Sequence, residues 1–187
     1  MRKSQYYRYF LGFQPDHKIL GPVRQSIAAL GLDGAAVSEE RLHLTLFVFQ
    51  ESKDRRIDIA DRMAPIMSRA NLVSCRIKLG RAKRDKNGAQ IKSIGRQWEI
   101  QHFYQQLVTL VASLDIKPLY RSSGFSPHIT LDYRKDGPEC SALIPFEWIP
   151  GELLLIESCV GQGMHNVMAR WPLLPPRQGE LDLCAGY

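Results

Sequence analysis

Two short stretches of the chain repeat the pattern His, aliphatic, Thr, Leu. They are His43-Leu44-Thr45-Leu46 and His128-Ile129-Thr130-Leu131. In a β-strand, residues two positions apart lie on the same face, so each copy presents an imidazole beside a hydroxyl, and Leu44 and Ile129 point into a core. A single copy is more often a strand with a buried, hydrogen-bonded histidine. Because two of the three threonines in the chain follow a histidine in this way, the repeat favours a paired functional site.

Two imidazoles that face each other can act together as a general acid and a general base. An unperturbed pKa of about 6.5 allows one ring to be neutral while the other is protonated at neutral pH. The Thr45 and Thr130 hydroxyls would lie about 6–7 Å along the strand from the histidine of their own copy. They can donate hydrogen bonds to phosphate oxygens and stabilise the charge of a pentacoordinate phosphorane. The pattern therefore indicates phosphoryl transfer, a chemistry that requires no metal and no cofactor.

Two other chemistries also use histidines. A two-His metal site would need a third and a fourth ligand, and neither motif has a carboxylate within ligand spacing of both histidines. The repeated threonine has no role in such a site, so we predict no metal centre. The sequence contains no motif that indicates a Ser or Cys nucleophile beside a histidine. Asp132 follows the second motif and shares the face of Thr130 if the strand stays regular, which makes it a minor candidate.

The composition is that of a soluble globular protein with an anionic partner. The net charge is +6 and the pI is about 9.3, which favours a polyanionic or phosphate-bearing partner. The four cysteines are far apart and form no Cys-x-x-Cys pair, as expected for reduced cytosolic thiols. No apolar run approaches the length of a membrane span or a signal-peptide core. We expect a cytoplasmic protein with no membrane partner.

The order of predicted elements is that of an α+β fold. Helices are predicted over 22–30, 59–70 and 98–114, and strands over 6–13, 43–50, 72–79, 90–94, 128–133, 152–160 and 166–173. Asn87-Gly88 predicts a hairpin turn. A pseudo-two-fold arrangement of the two halves would place His43 and His128 face to face across a cleft. We expect one domain over residues 1–174 and a loosely ordered tail over 175–187.

Several further polar residues have two interpretations. Arg81, Lys83, Arg84, Lys86 and Lys92 make the predicted hairpin basic. The hairpin is either a solvated edge protected from aggregation by charge or a finger along which an RNA backbone lies. His102 falls on the polar face of its predicted helix and is interpreted as a surface residue. His165 lies beside the Gly161-Gln162-Gly163 turn, where a structural or solvent role is favoured.

The doubled motif, with Pro127 just before the second histidine, resembles the 2H phosphoesterase superfamily. More narrowly, it is similar to the bacterial 2'-5' RNA ligase / RNA 2',3'-cyclic phosphodiesterase group. Supporting stretches are 9–16, 125–131 and 169–173. The resemblance covers about residues 5 to 174, and its motif is more specific for the superfamily than for the substrate.

The resemblance implies two pseudo-symmetric antiparallel sheet lobes with outer helices around a central cleft. It also implies a monomer that hydrolyses the 2',3'-cyclic phosphate of RNA ends or nucleotides to a 2'-phosphate, without metal or cofactor. In that family the first-motif histidine acts as the acid and the second as the base, which assigns these roles to His43 and His128. With a 5'-hydroxyl in place of water, the reverse reaction would form a 2'-5' linkage.

The substrate contacts are where this chain departs from the resemblance. Relatives often place an arginine where this chain has Tyr133, and Arg134 comes one position later, on the other face of a regular strand. Either a bulge re-aims Arg134, or Tyr133 stacks on a base or hydrogen-bonds phosphate instead. The predicted substrate-binding residues are Phe10, Lys92, Arg121, Phe125, Tyr133 and Arg134. Two alternatives stay open: an RNA-binding module with little turnover, and a 2H phosphodiesterase that acts on an ADP-ribose-type cyclic phosphate or a 2'-5' oligonucleotide.

Overall fold

The computed structural model describes residues 6–114, 116, 118–119, 125–135 and 137–176. Within this part of the chain, the elements in order are β1 (Tyr7–Phe13), α1 (His17–Ala29), β2 (Leu44–Val48), α2 (Asp58–Ala70), β3 (Ile77–Asp85), β4 (Gly88–Ser93), α3 (Trp98–Ala112), β5 (His128–Asp132), β6 (Cys140–Trp148), β7 (Glu152–Cys159) and β8 (Met164–Pro172). A short 3-10 turn over Glu39–Arg41 leads into β2. None of the helices in the described residues is long and apolar enough to span a bilayer.

The strands form one antiparallel sheet in the order β6-β3-β4-β5-β2-β1-β7-β8. It divides into two similar halves, β5-β4-β3-β6 and β2-β1-β7-β8, which meet where β2 lies beside β5. The paired residues at this seam are Leu44 and Ile129. The predicted α+β fold with two similar antiparallel halves is confirmed, and the halves join edge to edge in a continuous sheet.

One face of the sheet is packed and the other is open. Tyr9 and Leu11 of β1 lie in a core cluster that includes apolar residues of all three helices, whereas Phe10 between them lies in a separate small cluster. Leu44 and Ile129 are fully buried in the core, as predicted. Because side chains alternate between the faces of a strand, the His and Thr of each motif belong to the face opposite the helices.

The first helix begins earlier than predicted. The sequence indicated a start at Pro22, but α1 begins at His17 because Asp16 caps it: its carboxylate accepts the Lys18 N–H at 2.9 Å. Pro22 lies inside the helix. The two other helices differ from their predicted bounds by two residues or fewer.

The second half contains a strand that the sequence pattern did not reveal. β6 pairs with β3 from Ile77↔Trp148 to Arg84↔Cys140, and its Pro145 is tolerated because β6 is an edge strand. β3 also begins later than predicted, since its pairing is set by the Asn87-Gly88 turn, which is confirmed.

Gly88 at this turn allows a close approach of two strands. It has a φ of +104°, and a Cβ at this position would lie 2.3 Å from the Asp132 carbonyl oxygen. The turn therefore fixes β4 against the strand that carries the second motif. At the other end of the chain, most of the predicted loose tail, from 177 to 187, lies outside the described residues.

Candidate active site

The seam between the two halves brings the two motifs together in a reciprocal register. Because Leu44 pairs with Ile129 in antiparallel orientation, His43 lies opposite Thr130 and Thr45 lies opposite His128. Opposed residues have Cα atoms about 4.5–5.5 Å apart, closer than residues two apart on one strand. The register specifies how the two histidines lie relative to each other. They are diagonal neighbours on one open face, and each lies next to the threonine of the other motif.

Both imidazoles are held by the same backbone contact. The Nδ1 of His43 lies 2.7 Å from the Arg41 carbonyl oxygen, and the Nδ1 of His128 lies 2.9 Å from the Ser126 carbonyl oxygen. A carbonyl oxygen can only accept, so each Nδ1 carries the hydrogen. In both rings Nε2 is then the nitrogen that can exchange a proton with a substrate.

His43 lies against two other rings. Its centroid is 4.6 Å from that of Phe10 and 5.0 Å from that of His165. Burial lowers the pKa of His43, and the charges of His128 and Arg41 lower it further, against the opposing effect of the Arg41 carbonyl. Burial also lowers the pKa of His165 to about 4, with a contribution from His43 and Arg41. The predicted substrate-binding residue Phe10 thus packs directly against the His43 ring.

His165 is one of the site residues that the sequence did not reveal. It lies near the start of β8, and its ring contacts those of His43 and Phe10. Gly163 has a φ of +66°, and a Cβ added there would lie 3.2 Å from the Arg41 Nη1 atom. The β7–β8 hairpin therefore brings His165 and Gly163 to His43 and Arg41, residues more than one hundred positions earlier in the chain. No local pattern signals this contact, and so His165 had been given a structural or solvent role.

Arg41 and Tyr133 line the same region. The Nε of Arg41 is buried and has no hydrogen-bond acceptor among the described residues. Tyr133 is 55% exposed. Its pKa is raised by the burial of its phenol, while the charges of Arg41 and Arg8 and a hydrogen bond with Thr130 act in the opposite direction. Tyr133 therefore lies beside Thr130 and near two cations.

Arg134 is held by Asp132. Its Nε lies 3.1 Å from Asp132 Oδ1 and its Nη2 lies 3.0 Å from Asp132 Oδ2. Asp132 is buried at 3% exposure, and Arg84 also lies 3.8 Å from its carboxylate. The register with β4 shifts between Thr130 and Asp132, and Asp132 pairs with the core residue Ala89. The charge of Asp132 is matched by the two arginines.

The other predicted contacts divide between the open face and the core. Lys92 pairs with His128 in the β4–β5 register, and Arg81 pairs with Lys92 in the β3–β4 register. Paired residues of antiparallel strands share a face, so Lys92 and Arg81 continue the row that His128 begins. We call these two residues the basic row. Phe125 instead stacks on Tyr104, with centroids 4.3 Å apart, and Arg121 lies outside the described residues.

The described residues contain no group of three or more His, Cys, Asp or Glu side chains arranged to hold a metal ion. Cys75, Cys140 and Cys159 form no disulfide. What the site offers chemically is two imidazoles with Nε2 available, two hydroxyls and nearby cationic groups. Such a set binds and stabilises negative charge while it moves protons.

Comparison with known proteins gives matches to the fold of this chain. No protein-family model matches the chain, and no curated protein sequence matches it. Among solved structures, the chain is similar to E. coli LigT complexed with ATP at 18% identity and a TM-score of 0.67, over 90% of this chain and 99% of that chain. It is similar to the protein TT0787 of Thermus thermophilus at 18% identity and a TM-score of 0.69, over 91% and 100%.

A structure of a phosphoesterase is also similar, at 18% identity and a TM-score of 0.69, over 89% of this chain and 98% of that chain. These likenesses extend over nearly the whole of each matched protein. The chain therefore has the fold of these proteins, which agrees with the fold that the resemblance implies.

Proposed function

We propose that this protein is a 2H phosphoesterase that opens the 2',3'-cyclic phosphate at an RNA end and leaves a 2'-phosphate. The observation that carries the proposal is the reciprocal register at the seam, which places His43 beside Thr130 and His128 beside Thr45. The register gives a phosphate between the histidines a proton-transfer group and a hydroxyl donor on each side. With a 5'-hydroxyl in place of water, the same site would form a 2'-5' linkage.

The reaction needs two proton transfers on opposite sides of one phosphorus. One histidine Nε2 takes a proton from water as the water oxygen bonds to phosphorus. The other Nε2 gives a proton to the ribose 3' oxygen as the bond from this oxygen to phosphorus breaks. The Thr45 and Thr130 hydroxyls donate to the non-bridging oxygens, whose charge grows in the phosphorane.

The surroundings of the two histidines support a division of roles opposite to the one that the resemblance implies. His43 is packed between Phe10 and His165 and has a lowered pKa, so it is neutral at pH 7 and suited to accept a proton. The contact that holds His128 lies at an exposed position, open to solvent protons. We assign His43 as the base and His128 as the acid in hydrolysis. In ligation these roles exchange.

Three observations support a nucleic-acid substrate. The basic row of Lys92 and Arg81 continues from His128 across β4 and β3, at the spacing of neighbouring strands, and the chain has a net charge of +6. The structurally similar LigT has been crystallised with ATP and with 3'-AMP. An RNA backbone along the basic row would place its terminal phosphate at the histidines.

A substrate limited to a small nucleotide, such as an ADP-ribose-type cyclic phosphate or a 2'-5' oligonucleotide, is the second candidate. The cluster of the Phe10 and His165 rings beside His43 favours it, since rings next to the reacting group can contact part of a compact ligand. A binding module without turnover would have no use for two imidazoles held with Nε2 available.

The direct test is turnover of a 2',3'-cyclic mononucleotide by wild type, His43→Ala and His128→Ala. We expect each variant to lose about 10²–10⁴-fold in kcat/KM, with activity unchanged by EDTA. His102→Ala is the matched control, because His102 lies exposed on α3 and contacts Gln106 at 3.0 Å. Full activity in both site variants, or salt-sensitive RNA binding without any turnover, would exclude the proposed reaction.

A further inference from the structure

Arg41 is a cation placed at the candidate site without a matching anion. Its Nε is buried and lacks an acceptor among the described residues, and in that part of the chain no carboxylate lies within ion-pair distance of its guanidinium. A buried guanidinium N–H without a partner costs free energy, so natural proteins seldom retain one that has no use.

The neighbours of Arg41 do not neutralise it. Arg41 lowers the pKa of His43 and of His165, so its charge reaches both rings. Glu40, the preceding residue, has a lowered pKa whose first cause is a hydrogen bond with Ser38, and its interaction with Arg41 is the weakest contribution. Arg8, the other cation near Tyr133, is bound to Glu51. An anion from outside the chain would therefore find an unmatched positive charge at Arg41.

We propose that Arg41 and His165 form an anion subsite beside His43 that binds the non-bridging oxygens of the reacting phosphoryl group. This subsite rests on the proposed function and gives this chain its own phosphate clamp. The ligand class is a phosphomonoester or phosphodiester anion, held by the guanidinium of Arg41 and by an N–H of the neutral His165 ring. The β7–β8 hairpin supplies one member and the turn before β2 supplies the other.

The position where the resemblance expects an arginine cannot fill this role here. That position is Tyr133, and Arg134 after it is bound on two of its nitrogens to Asp132. Arg41 reaches the same region from the turn before β2, as its effect on the Tyr133 phenol indicates. The arginine that binds phosphate in this chain is therefore Arg41, two positions before the first motif, and not a residue after the second motif.

The test is calorimetric titration of inorganic phosphate into wild type, Arg41→Met and Arg24→Met. Methionine keeps much of the length of arginine without the charge. Arg24 is an exposed arginine paired with Glu39 at 2.6 Å, and serves as the matched control. We expect Arg41→Met to weaken phosphate binding at least about tenfold, and Arg24→Met to change it less than about twofold.

Thermal unfolding separates a ligand-binding role from a structural one. Arg41→Met should keep or raise the Tm, because it removes a buried N–H that has no acceptor. An Arg41→Met protein that binds phosphate like wild type, or one that fails to fold or melts several degrees lower, would overturn the subsite. His165→Phe keeps the ring contacts and removes the N–H. It should weaken binding a few-fold, and unchanged binding would overturn the assignment of His165.

Phosphate binding is measured without turnover, so the subsite and the proposed function can fail separately. A wild type that binds phosphate through Arg41 but leaves cyclic nucleotides intact would contradict the function and keep the subsite. If wild type hydrolyses cyclic nucleotides but Arg41→Met binds phosphate as tightly as wild type does, only the subsite is overturned.

Discussion

The rings of His43 and His165 meet edge to face, with centroids 5.0 Å apart and an interplanar angle of 68°. One ring belongs to the strand that carries the first motif and the other to the hairpin at the far end of the same half of the sheet. Two imidazoles this close cannot both be charged at low cost. Protonation of either one is therefore coupled to the packing of the hairpin against the site.

His165 should make the stability of the fold depend on pH. Its pKa is lowered to about 4 in the folded protein and is about 6.5 when unfolded. The unfolded chain therefore binds more protons between pH 6.5 and 4, so stability is full above pH 6.5 and falls as the pH drops towards 4. We expect His165→Gln to remove about 2 kcal/mol of this dependence, measured by urea unfolding at pH 7 and pH 5.

His102→Gln provides the matched comparison, since His102 is an exposed histidine of α3 outside the candidate site. Equal pH dependence in wild type and His165→Gln would show that the ring is not held neutral by the hairpin.

The division of roles between the histidines can be tested with a leaving group that needs no proton. On a p-nitrophenyl phosphodiester, the loss of a general acid costs little, whereas the loss of the base still slows attack by water. We expect His128→Ala to recover most of the wild-type rate on this substrate. His43→Ala should stay about 10²–10⁴-fold below wild type both on this substrate and on the 2',3'-cyclic mononucleotide.

The opposite result, with His43→Ala rescued and His128→Ala still slow, would establish the assignment that the family resemblance implies. Thr130→Val should be slow on both substrates, since its hydroxyl acts on the non-bridging oxygens in either case.

The sequence predicted the elements that are stabilised by nearby residues. The motif strands follow from alternation, with Leu44 and Ile129 buried as expected, and the β3–β4 hairpin follows from Asn87-Gly88. α3 follows from its apolar face. These features depend on residues within one or two turns or strand repeats of one another, so local pattern is enough to reveal them.

What the sequence did not reveal depends on contacts between distant segments. β6 is recognisable only by its pairing with β3, because Pro145 interrupts a strand pattern that the neighbour supplies. Arg41 and His165 are more than one hundred positions apart and come close only because the β7–β8 hairpin reaches the turn before β2. The motif histidines were found because they repeat. Their partners do not repeat and were missed.

Asp132 should stabilise the folded protein. Its carboxylate is buried, and it is matched by Arg134 at 3.0 Å and Arg84 at 3.8 Å. Asp132→Asn would leave the nearly buried Arg84 without a counter-charge, and we expect a loss of about 3 kcal/mol in the free energy of unfolding, measured by urea titration. Arg134→Gln, which removes the more exposed partner, should cost less. An equal loss of stability in both variants would show that the stabilising partner of Asp132 is Arg134 and not Arg84.

The basic row should distinguish a polynucleotide from a mononucleotide. Arg81 lies one strand beyond Lys92 and two beyond His128, too far to touch the reacting phosphate but within reach of the next phosphates of an RNA backbone. We expect Arg81→Ala to lower kcat/KM about tenfold on an oligoribonucleotide ending in a 2',3'-cyclic phosphate, and to reduce the salt dependence of that rate. On the cyclic mononucleotide its rate should equal that of wild type. Arg96→Ala is the control for net charge, because it also removes one positive charge. Arg96 lies over the ring of Trp98. If Arg81→Ala slowed both substrates equally, or neither, the row would not be the path of an RNA strand.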